Sequence, residues 1–178
     1  MPTLDDARAG DGRARAACGI PVDLPFRASA STTARAETDD DVDFIDDVLD
    51  GLRANVLRRR IPATTPRERL NAYLTAYAHD VLKRCAMETS CGVKSEAMKR
   101  SMDDARGRFA CPGDADFGDF ASLLRPPESD EERETFRVFV KKCRVELARR
   151  LVERCYDANT GERDKFWMAF AKRRFMNR

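Results

Sequence analysis

The sequence predicts an all-α fold: a compact five-helix domain with one central helix surrounded by the others, plus an N-terminal strap. Three observations carry this. Ala, Arg, Leu and Glu are abundant and β-branched residues few, which favours helices over sheets. Apolar residues recur at spacings of three and four in several long segments. One segment, Leu70 to His79, holds no charged side chain beyond a possible histidinium, so a helix there must be covered on every side.

Residues 1–40 are rich in Ala, Ser, Thr, Arg and Asp and read as a flexible tail. Within it, Ile20-Pro21-Val22-Asp23-Leu24-Pro25-Phe26 is apolar and its prolines exclude a helix, which predicts a short ordered strap near 18–27. Residues 41–178 form the single helical domain. Its first helix is expected from about Asp41 to Arg59, with Phe44, Ile45, Val48, Leu49, Leu52 and Val56 as its apolar stripe. The acidic start and the Arg58-Arg59-Arg60 end suit the helix dipole, and read as solvated ends.

The second helix is the best marked. Thr65-Pro66-Arg67-Glu68 supplies a threonine cap, a proline in the first turn and a capping-box glutamate. Leu70, Tyr73, Leu74, Tyr77, Val81, Leu82 and Cys85 follow at helical spacing, with Tyr73 and Tyr77 as structural anchors. A short helix from Ser95 to Ala105 would pack Met98 and Met102. The irregular connection Gly107 to Pro127 turns at Cys111-Pro112-Gly113 and is tethered by Phe109, Phe117, Phe120, Leu123 and Leu124. Ser129 and Glu132 form a second capping-box pattern before a long helix lined by Phe136, Phe139, Val140, Cys143, Leu147, Leu151 and Cys155. After a turn at Asp157 to Gly161, the last helix starts near Asp164.

The chemistry of the residues points away from catalysis. His79, the one histidine, reads as a buried, hydrogen-bonded residue rather than a general base. Asp43, Asp46, Asp47 and Asp50 resemble a ferritin-like ligand set only in spacing, because such sites need two Glu-x-x-His motifs. The six cysteines contain no C-x-x-C pair, and Cys85, Cys143 and Cys155 fall on apolar helical positions as small hydrophobes. No catalytic, metal or cofactor-binding residue is expected. The N-terminus lacks a signal-peptide pattern and no run approaches a membrane span, so a soluble intracellular protein is the expectation. The 33 basic and 31 acidic residues nearly cancel, which argues against a general nucleic-acid binder.

The C-terminus is the positive signal. From Phe166 to Arg178, aromatic, sulfur and cationic side chains crowd together, the mixture that protein interfaces enrich. Trp167 and Phe170 are read as anchors that pin the last helix to the core. Lys172, Arg173, Arg174, Phe175, Met176, Asn177 and Arg178 are read as a docking segment for an acidic partner surface.

That ending, Lys172-Arg173-Arg174-Phe175-Met176-Asn177-Arg178 behind Phe166-Trp167, resembles the C-terminal signature of the 21-kDa subunit (subunit 3) family of the actin-related protein 2/3 complex. Arg53-Ala54-Asn55-Val56 is similar to the family's first-helix end. Arg69, Tyr73, Leu74, Thr75, Tyr77, Leu82 and Lys83 follow its second helix in register. Pro112-Gly113 with Phe117, Arg150-Leu151 to Asp157, and Leu24-Pro25-Phe26-Arg27 resemble further segments, so the likeness spans roughly residues 18 to 178. The chain departs from the pattern at Asp50-Gly51, at Asn71-Ala72 and over Ser101 to Arg108.

The resemblance implies a non-catalytic subunit without a cofactor, in a cytoplasmic hetero-oligomer that nucleates branched actin filaments. Its implied partners are actin-related protein 3, other subunits of the complex and the actin filament, with no nucleic acid and no membrane insertion. The alternative reading of the residues is a helical RNA-binding module using the basic stretch Lys141 to Arg178.

Overall fold

A computed structural model describes residues 15–27, 43–56 and 62–173. Its elements are a two-stranded antiparallel hairpin, β1 (Ala16–Ala17) and β2 (Ile20–Pro21), and five helices: α1 (Phe44–Val56), α2 (Pro66–Met87), α3 (Lys94–Arg106), α4 (Asp130–Cys155) and α5 (Lys165–Ala171). Short 3-10 turns at Thr89–Cys91 and Gly118–Ser122 join them. The expected all-α domain is therefore present.

α2 lies at the centre. Thr65 accepts the Glu68 N–H while the Glu68 carboxylate accepts the Thr64 and Thr65 N–H groups, each at 2.9 Å, which closes the predicted capping box. Residues 72–79 are all buried, over two full turns, so no side of the helix meets water there. α1, α4, α5 and β2 pack around it. Tyr73 enters an aromatic cluster, parallel to Phe117 at 6.2 Å and edge-on to Phe120 at 5.3 Å, so the 107–127 connection is held down as predicted.

The strap opens as a hairpin, which the extended reading missed. Cys18 and Gly19 turn it with φ of 52° and 85°, and Ala17, Cys18 and Ile20 are fully buried. A non-glycine residue at positive φ costs energy, and here both backbone groups of Cys18 are held. Its N–H donates to Glu132 at 2.8 Å and its carbonyl accepts from the Arg125 N–H at 3.2 Å. Glu132 thus departs from the capping box read at Ser129. Ser129 accepts the Glu132 N–H, but the Glu132 carboxylate turns to Cys18, Arg125 and the Glu128 N–H instead. The rest of residues 1–40, and the residues Asp41 and Arg59 expected to bound α1, lie outside the described residues.

α3 packs Met98 and Met102 against the core as expected, but its innermost residues are smaller. Ala97, Ser101 and Ala105 are the buried residues, while Met98 and Met102 sit half-buried beside them. Small side chains at i, i+4 and i+8 let α3 approach α4 closely along their length.

Charge enters the core in two places. Arg150, on α4, donates to both Asp43 oxygens at 2.8 and 2.9 Å, to Glu146 at 2.7 Å and to the Arg27 carbonyl at 2.8 Å. It also pairs with Asp46 at 2.9 Å, and Arg154 bridges Asp46 and Asp50. The Arg150, Glu146 and Asp43 side chains keep only 7%, 4% and 10% of their surface. Asp43 and Asp46 at the start of α1 are therefore not solvated but paired with α4, whereas Asp47 and Asp50 stay exposed, and Arg58-Arg59-Arg60 lies outside the described residues. Burial pushes the Asp43 and Glu146 carboxyls up, but hydrogen bonds from Arg150, aided by the Arg27 N–H and by Arg149, leave both below the usual carboxylate range.

In the second place, Arg144 lies between the faces of Tyr77, at 4.3 Å, and Phe109, at 4.6 Å. Its guanidinium and that of Arg84 share Asp104, at 3.3 and 2.8 Å. The Tyr77 hydroxyl donates to the same carboxylate, and burial pushes its own pKa up to about 12. All six cysteines are free and buried, including Cys91, which the sequence placed in a polar linker.

Replacing Arg150 with Met should cost about 3–5 kcal/mol in urea unfolding at pH 7, because three carboxylates lose their shared partner. Depressed carboxyl pKa values stabilise the fold above the unfolded value near 4, and that gain disappears as pH falls through the folded value. The gap between wild type and Arg150→Met should therefore narrow at pH 3; a gap of constant size would rule out the ion network as its source.

Candidate partner interface

The C-terminal helix is placed by the turn that precedes it. Asp157 accepts the Asn159 and Thr160 N–H groups at 2.8 Å, and Gly161 completes the reversal with φ of 69°. The returning chain is stitched to the end of α2. Arg163 donates to the Glu88 and Cys91 carbonyls, and the Tyr156 hydroxyl donates to the Cys91 carbonyl at 2.6 Å. These donors satisfy carbonyls just beyond the α2 terminus, where a cation also complements the dipole. Asp164 then caps α5, accepting the Phe166 N–H at 2.7 Å and the Trp167 N–H at 3.3 Å.

α5 lies on α2 and reaches α1. Ala171 is fully buried, and Trp167, Met168 and Phe170 are half-buried against the core. Phe166 is 55% exposed and meets Phe170 edge-on at 5.4 Å. The Arg53 guanidinium, from α1, lies 4.9 Å from the Phe166 ring centre and 5.4 Å from that of Trp167. Beneath the helix is His79, which is 1% exposed. Burial, and then the Lys83 charge, push its pKa down, against Asp80 and the Phe170 and Arg173 backbone groups that hydrogen-bond the ring. The lone histidine thus ties the end of α5 to the central helix.

Of the expected docking residues, Lys172 and Arg173 are exposed at the end of α5, beside Phe166 and Phe170. Arg174, Phe175, Met176, Asn177 and Arg178 lie outside the described residues. Arg53, Arg163 and the link from His79 to α5 were not foreseen. Only the isolation of His79 in a neutral helix hinted at one of them. Of the twelve basic residues in the stretch behind the RNA-binding alternative, five are engaged within the molecule: Arg144, Arg149, Arg150, Arg154 and Arg163 bind carboxylates or carbonyls. Binding to phosphates needs free cations, and these five are not free.

Comparison with known proteins adds a second line. The family model described as the ARP2/3 complex ARPC3 (21 kDa) subunit matches residues 1–178. The chain is 34% identical over 161 residues to actin-related protein 2/3 complex subunit 3 of Arabidopsis thaliana, covering 90% of this chain and 89% of that protein. It is 30% identical over 161 residues to the protein of the same name in Saccharomyces cerevisiae, covering 89% of this chain and 86% of that one. For the Dictyostelium discoideum protein the identity is 29% over 159 residues, covering 89% and 88%. With the family model matched from end to end and these relatives covered over most of their length, the chain belongs to the ARP2/3 complex ARPC3 (21 kDa) subunit family.

Proposed function

We propose that this chain is a non-catalytic structural subunit of an actin-related protein 2/3 complex, supporting nucleation of branched actin filaments at the cytoplasmic actin cytoskeleton. The match to the ARPC3 family over the full chain is the observation that carries this reading. The proposed partners are actin-related protein 3, the other subunits and, in the working assembly, the actin filament. A scaffold of this kind needs a rigid body and an outward-facing recognition segment. Rigidity comes from the covered central helix and the two buried arginine clusters.

The recognition segment is proposed to be residues 172–178, following α5. The inner side of α5 is tied down by Ala171, Trp167, Phe170 and His79, while Phe166, Lys172 and Arg173 remain outside. An aromatic ring flanked by cations suits an acidic partner surface with an apolar centre. Division of labour within one short segment follows: its apolar residues hold the fold and its last residues hold the partner.

Tagged full chain recovered from cells should bring down actin-related proteins identifiable by mass spectrometry, and their absence would reject the assignment. Exchanging Lys172 and Arg173 for Glu should reduce that recovery severalfold while leaving the melting temperature within a degree or two. Trp167→Ala should instead lower stability by about 2 kcal/mol, less than the roughly 3–5 kcal/mol of a fully buried tryptophan, because the ring is half-buried. Recovery lost only in proportion to stability would make residues 172–178 part of the fold and not a recognition segment.

A further inference from the structure

We propose that the groove between the strap and α4 is a docking site for an extended, acidic peptide segment of another protein that carries a bulky apolar side chain. The groove encloses about 830 Å³. Val22, Leu24 and Phe26 of the strap form one wall and Phe139 and Val145 of α4 the other. A floor of this composition loses free energy in water and gains it under an apolar side chain.

The rim selects the sign of the partner. Arg106, Lys141 and Lys142 stand exposed around the opening, and among the described residues none of them has an ion-pair partner. The carboxylates at the groove do not neutralise them. Asp23 accepts the Arg15 N–H at 3.0 Å, and Glu146 is held by Arg149 and Arg150 at 2.6 and 2.7 Å. A smaller pocket next to the groove shares Arg106 and Lys141 and adds Arg108, so the positive field continues past the rim. Charge complementarity requires an acidic occupant.

The backbone selects an extended one. Beyond β2 the strap runs on without helical or strand pairing, and among the described residues the N–H groups of Leu24 and Phe26 make no hydrogen bond. An open edge of this kind accepts an added strand, with main-chain bonds giving affinity and pockets for alternate side chains giving specificity. The edge is also prepared for binding. Arg27, at its end, is fixed through its carbonyl to Arg150 and through its N–H to Asp43, so little ordering remains to be done. Val138 is 45% exposed one turn before Lys141 and Lys142 and two turns before Val145, which extends the apolar path along α4 beyond the groove.

None of these residues belongs to α5 or residues 172–178, so this surface and the proposed recognition segment stand or fall separately. The test is fluorescence anisotropy on the full chain with a labelled peptide holding two glutamates on either side of a central Leu-Trp pair. Saturable binding is expected, weakening with salt. Exchange of Lys141 and Lys142 for Glu should weaken it about tenfold or more, the equivalent of about 1.4 kcal/mol, with an unchanged circular-dichroism melt. Replacing the glutamates by glutamine, or the Leu-Trp pair by alanine, should weaken it comparably.

A Phe26→Asp variant probes the floor, with a shifted melt identifying any loss of fold. In that event Val145→Gln, on the α4 wall, serves the same purpose and should also weaken binding. Absence of saturable binding, or binding that the double lysine exchange leaves unchanged, overturns the proposal. So does a result in which the chain ignores the peptide but binds phosphatidylserine vesicles through the same two lysines, which would make the groove a membrane contact.

Discussion

A helix without a polar face cannot meet water, and α2 is such a helix across residues 72–79. Four other elements answer to that constraint. α1 and α4 flank it, the hairpin strand β2 packs against it, and α5 closes the remaining side. The price of this arrangement is that polar groups on α2 must find partners within the molecule. Thr75 donates to Asn71 at 3.0 Å, the Tyr77 hydroxyl reaches Asp104, and the His79 ring meets the backbone at the end of α5. The last of these adds a polar tie to the packing of Ala171, Trp167, Met168 and Phe170 that makes the C-terminal helix part of the core.

Surrounding one helix with four elements brings α4 under cover as well, and α4 is strongly charged. The structure resolves this by pairing charges instead of exposing them. Arg150 collects Asp43, Asp46, Glu146 and the Arg27 carbonyl, and so joins strap, α1 and α4 at one point. Arg144 collects Asp104 between two aromatic faces and joins α2, α3 and α4. Such clusters add less net stability than their short distances suggest, since desolvation offsets much of the Coulomb attraction. What they contribute is discrimination, because any other docking of α1 or of the strap would strand a buried charge. A rigid, uniquely docked body suits a subunit whose role is to present surfaces.

The consequence for recognition is a sorting of cations. Those facing inward across helix contacts belong to the fold, and among those left outside two groups lie beside apolar surface. Lys172 and Arg173 follow the aromatic side of α5, and Arg106, Lys141 and Lys142 ring the strap groove. The near-zero formal charge of +2 conceals this separation. Buried pairs cancel without being available, so what a partner meets is the uncancelled remainder.

Read alone, the sequence determined the helices and their order, because apolar spacing, the Thr65–Glu68 capping box and the Ser129 cap are local signals written within a few residues. It also determined that α2 is central, since absence of charge over Leu70 to His79 admits no exposed face. The aromatic and cationic C-terminus was visible for the same reason. Only the tertiary structure decided which charges are internal. Asp43 and Arg150 are 107 residues apart, and Cys18 and Glu132 are 114 apart, so no local pattern marks them as partners. Tertiary packing likewise gave the inner face of α3 to Ala97, Ser101 and Ala105, because close approach to α4 rewards small side chains over large ones. Local chemistry can be read along a chain, whereas pairing across distant elements exists only once folding has brought them within a few ångströms.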